Sequence, residues 1–171
     1  MSFEHTPPLD MSSPEAKRAS YDTLITQAQA ILHGERDRIA NLAQFAALVY
    51  NSVPQLNWAG FYLVNPSNDR ELVLGPFQGK VACVRIPFER GVCGAAARSG
   101  EVQLVEDVHA FPGHIACDAA SRSELVLPVI ANGRLQAVLD LDSPEPSRFD
   151  AEDAKGFGAM LAALIAGTDW S

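Results

Sequence analysis

Cysteine is scarce in this chain, and the patterns that usually employ it are missing. Three stand among 171 residues, at Cys83, Cys93 and Cys117. Three cannot close a disulfide framework, and no two are spaced as CxxC, the pattern of structural zinc sites and thioredoxin-like motifs. Basic residues are also few: 13 against 21 acids leave a net charge of −8. That excludes nucleic acid and anionic membrane as main partners, because both demand a basic surface. No apolar run reaches the length of a transmembrane helix. The opening MSFEHTPPLDMSSPE has no basic region followed by an apolar block, so it does not read as a secretory signal. The expectation is a cytoplasmic protein, where thiols stay reduced and a disulfide is more often catalytic than structural.

What is present is ordinary for one globular domain: 47% hydrophobic and 20% charged residues, enough to bury a core. Residues 1–12 read as a flexible tail and 13–171 as the domain. Within it, 13–53 carries two amphipathic helices. The first starts at Ser13-Pro14 and ends at His33-Gly34; the second starts near Glu35. Strands and loops fill 56–143. NWAGFYLV is apolar on both faces and suits a central strand. ELVLG and Lys80–Ile86 read as the next two strands, and GVCGAAARSG as a short helix. VQLVEDV runs into a long loop, HAFPGHIACDAASRS, of the kind that more often serves function than not. ELVLPVIA and RLQAVLDLD form a hairpin around Asn132-Gly133. A last helix over 150–166 is capped by Asp150. The order implies an α+β fold, a central antiparallel sheet flanked by helices.

The cysteines crowd a stretch rich in glycine, proline and histidine. A lone cysteine is commonly a small buried hydrophobe; three together suit redox turnover, with one thiolate attacking and others resolving. Cys93 stands near a helix start, where dipole and free N–H groups favour a thiolate. Cys117 stands in the long loop, next to Asp118. Cys83 stands on a strand and would move least. A zinc site drawn from these cysteines with His109 and His114 is the weaker alternative, since the spacings match no zinc pattern.

Asp140 and Asp142 share one strand face, about 7 Å apart; Leu135, Ala137, Leu139 and Leu141 share the other. The acids are either a solvated edge or a site for a positive group. Strict pairing from a two-residue turn puts Glu124 opposite Leu141, on the wrong face to join them. Convergence requires a bulge, with Pro128 the candidate, or a Glu124 beyond the strand end. Trp58 and Tyr62 alternate in phase on the first strand and suit either core packing or a pocket floor.

The strings NWAGFYL, LVLGPFQGKVACVRIPFERGVCGAAA, EDVHAFPGHIACDAASRSELVLPVI and AVLDLDSP closely resemble the free methionine-(R)-sulfoxide reductases, which are built on a GAF domain. The resemblance runs from Leu56 to the terminal helix. It implies a single GAF domain that reduces free L-methionine-(R)-sulfoxide, with thioredoxin as reductant and no cofactor or metal. It implies Cys117 as nucleophile and Cys83 as resolving partner, with the position of Cys93 also proposed as catalytic in the family. Glu124, Asp140 and Asp142 match acids associated with substrate binding. Trp58 and Tyr62 match the aromatics around the substrate methyl group. A homodimer accords with the family, and the amphipathic N-terminal helices offer a face for it or else cover the sheet. The rival is a GAF module that senses a small molecule without catalysis, which needs the pocket but not three thiols.

Overall fold

The computed structural model describes residues 9–114 and 118–171. Its frame is a six-stranded antiparallel sheet: β1 Trp58–Asn65, β2 Asn68–Gly79, β3 Arg85–Pro87, β4 Gln103–Val105, β5 Ser123–Ala131 and β6 Arg134–Ser143. The strands lie in the order β3-β2-β1-β6-β5-β4. β1 is interior, which its two apolar faces require. Helices α1 Pro14–Ile31, α2 Arg38–Ser52 and α4 Ala151–Gly167 cover one face, and α3 Gly91–Ser99 lies over the other.

The helix starts follow from their caps. Ser13 accepts from the Ala16 N–H at 3.1 Å, with Pro14 in the first turn. Asp37 accepts from the Ala40 N–H at 2.8 Å, so α2 begins at Arg38 rather than near Glu35. Asp150 and Asp153 form a reciprocal capping box at the head of α4. Of the tail expected over 1–12, residues 1–8 lie outside the described residues, and the part from Leu9 on is anchored. The Leu9 N–H donates to the Ser52 carbonyl at 2.9 Å, and Leu9 and Met11 pack on the main core.

Behind the sheet, α1 is tied to α4 by a buried polar network. The Lys17 ammonium reaches Asp153 at 2.5 Å and Asp150 at 2.8 Å. The Tyr21 hydroxyl donates to Asp153 at 2.7 Å, and Arg148 completes the set at 3.4 Å. Each member has a partner, the condition under which buried charge is tolerated. Gly156 makes this possible, because a Cβ there would run into the Tyr21 ring. Gly156→Ala is therefore expected to cost about 1–3 kcal/mol by overpacking, read as a lowered urea midpoint with unchanged slope.

Several strand expectations are corrected. Of the expected strand 80–86 only Arg85 and Ile86 fall in β3, which runs on to Pro87; residues 81–84 are irregular, with the Val84 carbonyl accepting from the Leu74 N–H at 2.9 Å. Cys83 therefore stands in a loop, not on a strand. The hairpin does turn at Asn132-Gly133, both with positive φ. Its bulge, however, lies at Gln136 rather than Pro128. Ile130 pairs with Leu135, but Val129 pairs with Ala137. The extra residue moves Leu135 to the face opposite Ala137, Leu139 and Leu141. It also carries Glu124 into register with Asp142, and Val126 with Asp140. One inserted residue thus puts all three acids on the same face.

Candidate active site

The site lies on the face covered by α3. β1 runs between β2 and β6, with Trp58 opposite Asp142 and Gly60 opposite Asp140. The cleft is lined by Trp58, Tyr62, Cys93, Glu124, Asp140 and Asp142 from the frame. Val81, Ala82, His114, Asp118 and Ser121 add to it from the loops. Of the residues expected from sequence, seven of the eight fall within the described chain. Six line the cleft, and Cys83 sits beside it; Cys117 falls outside the described residues.

The aromatic wall is stacked. The Trp58 ring lies 5.7 Å from that of Tyr62 and 5.2 Å from that of Phe77, all near parallel. Both polar tips reach the irregular segment. Trp58 Nε1 donates to the Lys80 carbonyl at 3.2 Å, and the Tyr62 hydroxyl donates to the Cys83 carbonyl at 3.0 Å. The aromatics therefore form one wall and pin the loop that carries Cys83. Burial, then the charges of Asp140, Cys93 and the other acids, push the Tyr62 hydroxyl well up and keep it a donor.

The acids are the unusual part. Glu124 and Asp140 are each 6% exposed, and Asp142 is half-buried. Among the described residues no lysine or arginine pairs with any of them. His114 Nε2 stands 3.9 Å from Glu124, but burial, then His109, lowers its pKa and favours the neutral ring. Burial is also the leading influence on the acids. It pushes Asp140 up to about 6. It raises Glu124 and Asp142 well above the ordinary range, and the charge of Asp140 adds to both. One oxygen of Asp140 is buried without a hydrogen-bond partner among the described residues. Three carboxyl groups without a cation form a cavity that favours a positive ligand or retains protons.

The cysteines divide. Cys83 is disulfide-bonded and Cys93 is a free, buried thiol. The expectation that the α3 N-terminus makes Cys93 a thiolate is corrected. Burial first, then the charges of Asp140, Glu124 and Asp142, raise its pKa well above the usual thiol value. Its Sγ lies 4.0 Å from a Glu124 oxygen.

Sequence reasoning missed the support on the loop side. Asn57 donates to Asp118 at 3.2 Å and to Ser121 at 3.1 Å. Its backbone N–H reaches the Asp142 carbonyl at 3.0 Å. Lys80 pairs with Asp118 at 3.5 Å. These link the start of β1 to both loops around the cleft. The signal was the adjacency of Asn57 to Trp58, which sequence cannot resolve without the loop's path. The cleft encloses about 40 Å³, room for only about three waters.

No helix among the described residues is long and apolar enough to cross a membrane. The GAF domain family matches residues 39–167. A free methionine-R-sulfoxide reductase of Escherichia coli is 49% identical over 157 residues, covering 90% of this chain and 93% of that protein. One from Saccharomyces cerevisiae is 40% identical over 168 residues, covering 95% and 93%. The X-ray structure of a free methionine-R-sulfoxide reductase from Neisseria meningitidis, in complex with its substrate, superposes with a TM-score of 0.86 at 42% identity, covering 95% of each chain. With its stacked aromatics, uncompensated acids and clustered cysteines, this chain belongs to the GAF domain family and, within it, to the free methionine-R-sulfoxide reductases.

Proposed function

We propose that the protein reduces free L-methionine-(R)-sulfoxide to L-methionine, with Cys117 as nucleophile, Cys83 as resolving thiol and thioredoxin as final reductant. The observation that carries this reading is the trio Glu124, Asp140 and Asp142, gathered in one cleft with no lysine or arginine paired to them among the described residues. A free amino acid brings an ammonium to that trio; a methionine inside a polypeptide has none. Trp58 and Tyr62 offer an apolar wall for the methyl group, and a chiral pocket of this kind selects one sulfur epimer.

The chemistry balances. The Cys117 thiolate attacks the substrate sulfur while a protonated acid gives its proton to the sulfoxide oxygen. Glu124, raised well above the ordinary range by burial and then by the charges of Asp140 and Asp142, favours the protonated form that such a donor needs. The oxygen passes to Cys117 as a sulfenic acid and methionine leaves. The Cys83 thiol condenses with the sulfenic acid, releasing water and forming a disulfide, which a dithiol such as thioredoxin reduces. The narrow cleft accompanies a disulfide at Cys83. Reduction frees the segment 80–84 and lets the cleft widen for an amino acid. A cytoplasmic location suits this reductant, and a homodimer accords with the family.

A single-turnover thiol count tests the reading against a non-catalytic sensor. Reduced protein is mixed with the sulfoxide, without reductant, and titrated. The expected loss is two thiols per chain with one methionine formed. A module that only binds loses none.

A further inference from the structure

We propose that the cleft also takes a divalent cation of the zinc class, held by Cys93, Glu124 and Asp140. The Cys93 sulfur and one carboxylate oxygen from each acid all lie within 4.8 Å of one another. Zinc bonds of about 2.3 Å to sulfur and 2.0–2.2 Å to oxygen put tetrahedral donors roughly 3.5 Å apart. Cys93 and Glu124 already stand at 4.0 Å, so small side-chain rotations close the set.

A second observation points the same way. Asp140 is 6% exposed, lines the cleft, and has one buried oxygen with no hydrogen-bond partner among the described residues. A carboxylate oxygen in that state is costly unless a ligand meets it. His114, with Nε2 at 3.9 Å from Glu124, lines the same cleft but stands outside the close set, and would serve as a fourth donor by moving toward it. A thiolate, two carboxylates and an imidazole suit a borderline-soft ion. Magnesium and calcium prefer oxygen alone. This set differs from the cysteine-rich one weighed from sequence, because Cys83 is engaged in a disulfide and His109 does not line the cleft.

Binding is an exchange without redox change: the Cys93 thiol proton leaves to solvent as the metal–sulfur bond forms. The metal then occupies the acids proposed for the substrate ammonium and caps the Cys93 sulfur. Zinc would act as a reversible competitive inhibitor, a clause that rests on the proposed substrate; the metal site itself does not.

The test uses the full chain with its disulfide formed, titrated with Co²⁺ and, separately, Zn²⁺. The expected result is one metal per chain retained on dialysis and a thiolate-to-cobalt charge-transfer band in the near ultraviolet. Cys93→Ser should lose the band, and zinc affinity should fall at least about tenfold, the effect that even outer-shell groups commonly carry. Asp140→Asn should lower zinc affinity similarly while keeping the band, which guards against misfolding of the first variant. No retained metal, or a band that persists in Cys93→Ser, overturns the site. In reduced Cys117→Ser protein, whose cleft can widen and which cannot turn over, displacement of zinc by L-methionine-(R)-sulfoxide supports the shared acids. Retained metal without displacement upholds the metal site and counts against the substrate reading instead.

Discussion

Cys117→Ser is expected to abolish methionine formation, by at least about a thousandfold in kcat, with thioredoxin or with a small dithiol. The size follows from the role proposed for the sulfur. It must attack as a thiolate and then carry the substrate oxygen as a sulfenic acid, and a serine hydroxyl can do neither at neutral pH. Cys93 is the competing nucleophile, and magnitudes decide against it. The α3 N-terminus favours a negative charge by about 0.3–1 kcal/mol, less than one pKa unit. Full burial opposes it by several units, and Cys93 is 4% exposed and faces three acids. Cys93→Ser should therefore keep kcat within about tenfold of the parent. Cys83→Ser should form one methionine per chain and then stop with thioredoxin, its sulfenic acid unresolved. Chromatographic assay of methionine separates the three. Full activity in Cys117→Ser, with none in Cys93→Ser, would reassign the nucleophile.

Much of the site was legible because strand periodicity is strict. Trp58 and Tyr62 share a face wherever β1 is a strand, and so do Asp140 and Asp142. The need for a bulge was legible too, since Glu124 cannot join the aspartates without one. Its place was not. Proline is the usual marker of broken pairing, yet Pro128 pairs regularly with Val138 and the extra residue is Gln136. The Gln136 amide reaches back to the Ala131 carbonyl at 3.2 Å, a local bond that sequence does not announce. The segment 80–84 misread for a related reason. Alternating apolar residues promise a strand there, but Val81 and Val84 point to solvent and the backbone is tied to Trp58 and Tyr62 instead. The Cys93 thiol misread because the dipole is local and visible, whereas burial and the acids are brought by β5 and β6 from far along the chain.

Asp142→Asn is expected to separate binding from stability. In the proposed complex this acid meets the substrate ammonium in a poorly solvated cleft. Truncating one partner of such a pair costs about 2–4 kcal/mol, or roughly 30- to 1,000-fold in kcat/KM. The same change removes a half-buried acid whose charged form burial disfavours, so the substrate-free fold should be no less stable. The pH dependence carries the sign. Asp140 titrates at about 6 in the fold, above the unfolded value of about 3.9. Its contribution is present below about pH 4 and is lost as pH rises through 6. Burial raises Glu124 and Asp142 as well, and their contributions are lost in the same direction. The substrate-free protein should therefore lose thermal stability as pH rises from about 4 through 6, and Asp142→Asn should flatten the slope. Saturating substrate should restore much of it in the parent and little in the variant, because a ligand stabilises in proportion to its affinity. Melting curves with and without L-methionine-(R)-sulfoxide at three pH values, beside kcat/KM, measure all of this. A variant that unfolds while substrate affinity is unchanged would make Asp142 a structural acid.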